Sequence, residues 1–113
     1  MVIIPSFENK ESAEQRIVRL LKEKGAEDPE TKSLLNAWTI EQEKQVEQLP
    51  DYHVAQIQFN LRRARLYFDA GYVDEAFENF EAARMQAWNE NRKELYQAIM
   101  AEMDKLESDL GQL

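Results

Sequence analysis

Apolar residues recur along most of this chain at intervals of three and four positions, with polar residues between them. That period places apolar side chains on one face of an α-helix, and it predicts five helical segments. Glycine and proline fall between the segments, where helices are expected to begin or end. We therefore expect an all-α fold of about five antiparallel helices in a single domain.

Capping signals set the expected limits of the first two helices. The first spans about residues 11–24 and ends at Gly25, since glycine readily adopts the left-handed conformation that follows a helix. The second has Asp28 as its N-cap and Pro29 as its first residue, and it ends near Leu49, just before a proline.

Residues 11–49 are thus expected to form a helical hairpin, and residues 1–10 form an N-terminal extension in front of it. Within that extension, Phe7 is placed to pack back on the first helix. Gln42 and Gln45 interrupt the apolar face of the second helix. The shared faces comprise Ala13, Ile17, Leu20, Leu21 and Lys24 in the first helix, and Leu34, Leu35, Trp38, Val46 and Leu49 in the second.

The third helix is expected from about Tyr52 to Ala70, with Asp51 as its N-cap and Gly71 at its end. A projection at about 100° per residue places apolar residues on two opposite faces. These faces are Val54, Ile57, Leu61, Ala64 and Phe68 on one side, and Tyr52, Ala55, Phe59 and Leu66 on the other. A helix that is apolar on both sides is expected to lie between neighbouring helices.

The fourth helix is expected from about Val73 to Asn89, with a single broad apolar stripe. This stripe consists of Val73, Ala76, Phe77, Phe80, Ala83, Ala87 and Trp88. Asn91 followed by Glu94 has the spacing of a capping box, which predicts a fifth helix over about residues 92–110. The apolar face of that helix alternates in steps of three and four: Tyr96, Ile99, Met103, Leu106 and Leu110.

Residues 57–90 contain small, aromatic and glycine residues at the offsets that allow two antiparallel helices to pack closely. These residues are Ala64, Tyr67, Gly71, Ala76, Phe80 and Ala83. In this pattern the segment resembles one tetratricopeptide repeat (TPR), a two-helix unit. The copy is degenerate, because Asn60 stands where tryptophan is common, Arg63 where leucine is expected, and Trp88 where proline usually closes the repeat.

The resemblance implies a right-handed stack in which residues 52–89 form the TPR-like hairpin. Residues 92–110 would be the capping helix that follows the last repeat, and residues 11–49 a divergent hairpin in front of it. A coincidental pair of helices in an unrelated bundle is the alternative. TPR proteins bind other proteins, so the resemblance also implies a role in protein–protein interaction.

Four polar residues lie together on the third helix, on a flank between its two apolar faces: Gln58, Arg62, Arg65 and Asp69. In TPR proteins that flank lines the peptide-binding surface, so the resemblance implies that these residues contact a partner. Two guanidinium groups can hold a carboxylate through bidentate hydrogen bonds, which favours an acidic protein or peptide. The alternative is that the arginines pair with acidic residues of neighbouring helices.

Three further arginines lie outside this strip, and their roles depend on how the helices pack. Arg63 lies on the other flank of the third helix, where it indicates either a buried ion pair or an open side of the hairpin. Arg16 and Arg19 on the first helix would form a local patch for an anionic ligand if the first and third helices adjoin.

Charge and composition restrict the possible functions. The net charge of −8 opposes binding to nucleic acids and anionic lipids, and no apolar run reaches the length of a membrane helix. The absence of cysteine excludes disulfides and thiolate metal sites, and a cytoplasmic location is expected. His53 is the only histidine, and hydrolase or phosphate-binding motifs are missing. We therefore expect no catalytic residues, no metal and no cofactor.

The sequence thus favours a non-enzymatic adaptor that binds a peptide or a partner helix in a helical groove. The alternative is a structural protein that forms a homodimer through the apolar face of its fifth helix, Tyr96, Ile99, Met103, Leu106 and Leu110. A small RNA-binding or regulatory subunit that uses the arginines is less favoured, because the charge balance opposes it.

Overall fold

The computed structural model describes residues 11–111 of the chain, and every regular element in that range is an α-helix. The five helices are α1 (Ala13–Glu23), α2 (Pro29–Glu47), α3 (Tyr52–Asp69), α4 (Val73–Asn89) and α5 (Lys93–Gly111). The prediction of an all-α fold with five helices is confirmed. The predicted extension over residues 1–10, including the packing of Phe7, lies outside the described residues.

The first three helices begin at side chains that cap their free amide groups. The carboxylate of Asp28 accepts hydrogen bonds from two amides of the first turn of α2, and that of Asp51 accepts one from the amide of Val54. Both predicted N-caps are confirmed. The sequence reading missed a capping box at α1, where Ser12 Oγ accepts from the Gln15 amide at 3.0 Å and Gln15 Oε1 accepts from the Ser12 amide at 2.9 Å.

The turns that follow α3 and α4 have the same geometry. Gly71 has a φ of +87° and Asn91 a φ of +58°, and each is the left-handed residue of a Schellman turn. After α4, the amide of Arg92 donates to the carbonyl of Ala87 at 2.9 Å. The predicted capping box of Asn91 and Glu94 is therefore wrong. Asn91 ends α4, because asparagine tolerates the left-handed region better than most residues, and α5 begins at Lys93.

Helix α3 lies between two hydrophobic cores, as its two apolar faces predict. Helices α1 and α2 pack on one side of α3, while α4 packs on the other side and also contacts α5. The first core contains Ile17, Leu21, Trp38, Val46, Ala55, Phe59, Leu66 and Ala70. The second core contains Ile57, Leu61, Ala64, Phe80, Ala83, Ala87 and Ile99. A single helix thus supplies residues to both cores.

Three large apolar residues predicted on buried faces are exposed, and so are Ala13 and Lys24 of the face predicted for the first helix. Leu49 is 51% exposed, because α2 ends at Glu47 and the helical phase does not extend to it. Trp88 is 59% exposed, because Ala83 and Ala87 occupy the close contact with α3 and the indole turns outward instead. Tyr52, in the first turn of α3, is also exposed. These predictions of burial are wrong, while the remainder of both α3 faces is at least partly buried.

Candidate functional site

Three of the four residues of the predicted polar strip line one cleft between α1 and α3. The cleft has a volume of about 500 Å³. Its walls are formed by Ser12, Glu14, Gln15 and Val18 of α1 and its cap, and by Arg62, Arg65, Leu66 and Asp69 of α3. The structure thus brings Arg62, Arg65 and Asp69 together on one surface, as the helical projection predicts.

Gln58, the fourth residue of the strip, lines a hollow next to the cleft. This hollow has a volume of about 450 Å³, and Arg62 belongs to the walls of both cavities. The other lining residues are Leu49, Pro50, Asp51, Val54 and Ala55, so the surface is mainly apolar. We call the cleft and the hollow together the groove. It follows one flank of α3 from Leu49 to Asp69.

The orientation of α1 explains why the groove has two different halves. The residues at the beginning of α1 face Arg62 and Arg65, whereas the turn at its end reaches Tyr72, whose hydroxyl accepts a hydrogen bond from the Ala26 amide at 2.9 Å. Helix α1 therefore runs parallel to the second half of α3. The first half of α3 has no α1 residue beside it among those lining the hollow.

Arg65 forms a bidentate ion pair with Glu102 of α5. Its Nε and Nη2 atoms donate to the two carboxylate oxygens, each at 2.8 Å. These hydrogen bonds raise the pKa of the Arg65 guanidinium, which is partly exposed. The alternative that a strip arginine pairs with a neighbouring acidic residue is thus observed for Arg65. The pair connects α5 directly to α3.

Arg62 has a neutral partner. Its Nη2 atom donates to Oε1 of Gln42 in α2 at 2.7 Å, and the side chain is partly buried. Because an amide oxygen has no net charge, this hydrogen bond orients the guanidinium without neutralising it. The positive charge of Arg62 is therefore available to an anionic group at the junction of the two halves of the groove.

Arg63, on the opposite flank of α3, does not form the buried ion pair that was one of its two predicted environments. Its Nε donates to Oδ1 of Asn79 at 2.7 Å and its Nη2 donates to Oδ1 of Asn60 at 3.2 Å. The guanidinium also lies 4.8 Å from the centroid of the Phe59 ring. Arg63 is thus partly buried with neutral partners and not with a carboxylate, and it lines two hollows that leave this flank partly open.

The hydrogen bonds of Arg63 continue in both directions along the α3–α4 interface. Asn60 donates to Gln86 at 3.3 Å, and Gln86 donates to Gln56 at 2.6 Å. In the other direction, Asn79 donates to the carbonyl of Glu75 at 2.8 Å. We call this chain the amide ladder. The sequence reading missed it, although polar residues at 56, 60 and 63 have the spacing of one helical flank.

The apolar face of α5 that was predicted for dimerisation contacts the α3–α4 hairpin of the same chain. Ile99 is only 1% exposed and belongs to the second core, while Tyr96, Met103 and Leu106 pack against that core from the edge. Leu110 is partly buried near the end of the helix. The large exposed apolar side chains beside this face are Met85 and Trp88 of α4, and Trp88 contacts the ring of Tyr96.

The two arginines of α1 are paired with carboxylates. Arg19 donates to both carboxylate oxygens of Glu11 and also pairs with Glu23, while Arg16 lies 3.8 Å from the carboxylate of Glu30. The anion patch expected at these two arginines is therefore largely neutralised. His53 is exposed, and over residues 11–111 no cluster of His, Asp and Glu side chains could hold a metal ion.

Comparison with known proteins identifies no relative of this chain. Neither a protein family, nor a curated protein, nor a solved structure matches the chain. In the part of the chain that the structure describes, no helix is both long enough and apolar enough to cross a bilayer. The function must therefore be argued from the groove itself.

Proposed function

We propose that this protein is a non-enzymatic interaction module that binds a peptide or helix of a partner protein in the groove along α3. The proposal is based on one observation: Arg62, Arg65 and Asp69 line the same cleft, which lies beside an apolar hollow. Binding sites for peptides commonly combine an apolar surface, which provides affinity, with a few polar groups that fix orientation.

The chemistry of the groove defines the partner segment. Leu49, Pro50, Val54 and Ala55 offer an apolar surface, while Arg62 offers a guanidinium with no carboxylate bound to it. A complementary segment has one or two apolar side chains followed by an aspartate, a glutamate or a terminal carboxylate. Arg65 can join the recognition of that carboxylate through its Nη1 donors, because only the edge formed by Nε and Nη2 faces Glu102.

We also propose that α3, α4 and α5 form a TPR-like hairpin with its capping helix. In support, the residues at the small positions, Ala64, Ala76 and Ala83, are fully buried, as is Phe80. Small side chains at these positions allow α3 and α4 to pack closely. The groove then lies on the flank by which TPR proteins bind peptides. We place the protein in the cytoplasm, which its lack of cysteine favours.

The test is affinity purification from the source cells with quantitative mass spectrometry. The variant is Arg62→Gln with Arg65→Gln, which removes both positive charges while it keeps polar side chains of similar length. We expect a partner captured by the natural chain to be recovered at least about tenfold less with this variant, since a charged hydrogen bond contributes about 1.5–3 kcal/mol.

The matched control is Arg16→Gln with Lys32→Gln. These substitutions also remove two positive charges from exposed helical positions, but neither residue lines the groove. Circular dichroism establishes that both variants keep their helical content. Equal loss of capture in both variants would indicate a general charge effect, and full capture by the groove variant would refute the proposed site.

A second candidate function is self-association through α5. The observation in its favour is that Trp88 and Met85 leave an exposed apolar surface next to Tyr96, at the edge of the predicted dimer face. A homodimer would bury this surface, whereas the centre of the predicted face at Ile99 is already covered within the chain. Light scattering at increasing protein concentration distinguishes a dimer from a monomeric adaptor.

A further inference from the structure

Two further hollows follow the flank of α3 that is opposite to the groove. The first has a volume of about 300 Å³ and lies between α2 and α3, and the second, of about 350 Å³, lies between α2, α3 and α4. Arg63 lines both of them. Helices α2 and α4 each pack against α3 but not against each other, so a channel stays open along this flank. We call the two hollows together the trough.

The floor of the trough offers hydrogen bonds. The side-chain amides of Gln56 and Asn60 line the first hollow, and that of Asn79 lines the second. Each of these amides donates one hydrogen bond and accepts one within the chain, although it has two donor hydrogens and two acceptor lone pairs. The remaining capacity matches an extended backbone, which presents free N–H and C=O groups along its edge.

The walls of the trough have carboxylates at opposite ends. Glu43 and Glu47 of α2 line the first hollow, and Glu75 and Glu78 of α4 line the second. All four side chains are exposed, and none of them forms an ion pair within residues 11–111. Arg63 lies between the two hollows. The carboxylates therefore favour basic groups at the two ends of the trough, while the guanidinium opposes one at its centre.

We propose that the trough binds an extended basic segment of a partner protein, at a site separate from the groove. The flank from Tyr52 to Tyr67 measures about 22 Å at about 1.5 Å per residue, a length that about eight extended residues span. Successive side chains of an extended segment point to opposite sides, so with one backbone edge on the floor they alternate between the α2 wall and the α4 wall. The segment therefore has basic residues that point to α2 at one end and to α4 at the other.

The test is fluorescence anisotropy at low ionic strength with two labelled peptides of equal composition. In the first, KSKSSKSK, two lysines point to one wall at one end and two to the other wall at the other end. In the second, KSKSKSKS, all lysines point to the same wall. We expect the natural chain to bind the first peptide at least about fivefold more tightly, because only this peptide brings lysines to the carboxylates of both walls.

The variant Glu75→Gln with Glu78→Gln removes the carboxylates of the α4 wall, so it should bind the two peptides equally. The matched control, Glu94→Gln with Glu107→Gln, changes the net charge by the same amount at exposed positions of α5, and it should keep the preference. Glu75 and Glu94 both lie in the first turn of their helices, so their loss affects the two helix dipoles alike. Circular dichroism establishes that both variants keep their helical content.

Equal binding of the two peptides by the natural chain would overturn the proposal. A preference that survives in the variant of the α4 wall would also overturn it, because the lysines would then be recognised elsewhere.

NMR signals of the side-chain amides locate the bound peptide. Those of Asn60 and Asn79 should shift when the first peptide is added, whereas that of Gln58, in the groove, should not. A shift at Gln58 without shifts at the two asparagines would refute the trough. Because the variant Arg62→Gln with Arg65→Gln alters only the groove, it should keep the peptide preference. Failure of this proposal is therefore distinguishable from failure of the adaptor function.

Discussion

Arg62 and Arg63 are consecutive residues of one helix, yet they belong to opposite flanks with opposite properties. The flank of Arg62 is a groove, and its guanidinium has a single neutral partner there. The flank of Arg63 contains the amide ladder, in which two asparagines and the Phe59 ring contact the guanidinium. A rotation of about 100° around the helix axis separates the two environments.

The type of partner, and not only burial, distinguishes a structural arginine from one that is available for binding. Both side chains are partly buried. Arg63 donates in two directions to α3 and α4, so its hydrogen bonds connect the helices of the hairpin. Arg62 donates once, to α2. Each of the two arginines lines two cavities, so their hydrogen bonds, and not the cavities, distinguish them. The comparison predicts that loss of Arg63 affects stability, and that loss of Arg62 affects binding.

The largest effect is expected for Arg63→Ala. Truncation removes two charged hydrogen bonds and leaves the oxygens of Asn60 and Asn79 without their donor, so we expect the free energy of unfolding to fall by about 2 kcal/mol. Urea denaturation provides the measurement. In the same assay Arg62→Ala, the control, should cost less than Arg63→Ala, because it removes one charged hydrogen bond and not two. Equal costs for the two substitutions would break the distinction between the flanks.

A smaller effect is expected for the ion pair between Arg65 and Glu102. The pair is bidentate but partly exposed, so a double-mutant cycle with alanine at both positions should give a coupling energy of about 0.5–1 kcal/mol. The coupling should decrease in high salt. A coupling larger than that of Arg63 with Asn79 would mean that the groove flank, and not the amide ladder, holds the helices together.

The smallest effect concerns pH. The pKa values of Glu11, Glu30 and Glu81 lie below their ordinary value of 4.5, because each carboxylate accepts a hydrogen bond from a basic side chain. A lowered pKa in the folded state gives stability that is complete above the unfolded pKa and is lost as pH falls through the folded one. Thermal melts should therefore show a modest loss of stability between about pH 5 and pH 3.

The amide ladder provides the control for this titration. The side chains that bind Arg63 are amides, which do not titrate between about pH 5 and pH 3. The destabilisation by Arg63→Ala should therefore be the same at both of these pH values. If the destabilisation by Arg63→Ala decreases as the pH falls, Arg63 is stabilised by a carboxylate and not by amides alone.

Local signals allowed most of the fold to be predicted. Aspartates at 28 and 51 and glycines at 25 and 71 act on their own neighbours, so their positions in the sequence suffice to set helix limits. The two-sided pattern of α3 likewise predicted its place between neighbours. Asn91 was assigned to the wrong helix because asparagine favours both an N-cap and a left-handed turn, and the sequence alone does not distinguish them.

The candidate site was predicted only in part, because its partners come from other helices. The helical phase of α3 predicted that Arg62, Arg65 and Asp69 share a surface. It did not predict Gln42 or Glu102, since their positions depend on how α2 and α5 are rotated against α3. The hollow was missed for the same reason, because Leu49 was assigned to the buried face of a helix that ends before it.

The arrangement of two cores around one shared helix has a consequence for how the chain opens. Among the described helices, α1 and α2 contact α3 but do not pack against α4. The Tyr72 side chain, just before α4, makes a separate hydrogen bond to the turn after α1. Two cores that share only one helix can act as separate cooperative units, and native-state hydrogen exchange detects their separate opening. We therefore expect the α1–α2 pair to open before α3, α4 and α5, so that amides of the second core exchange last.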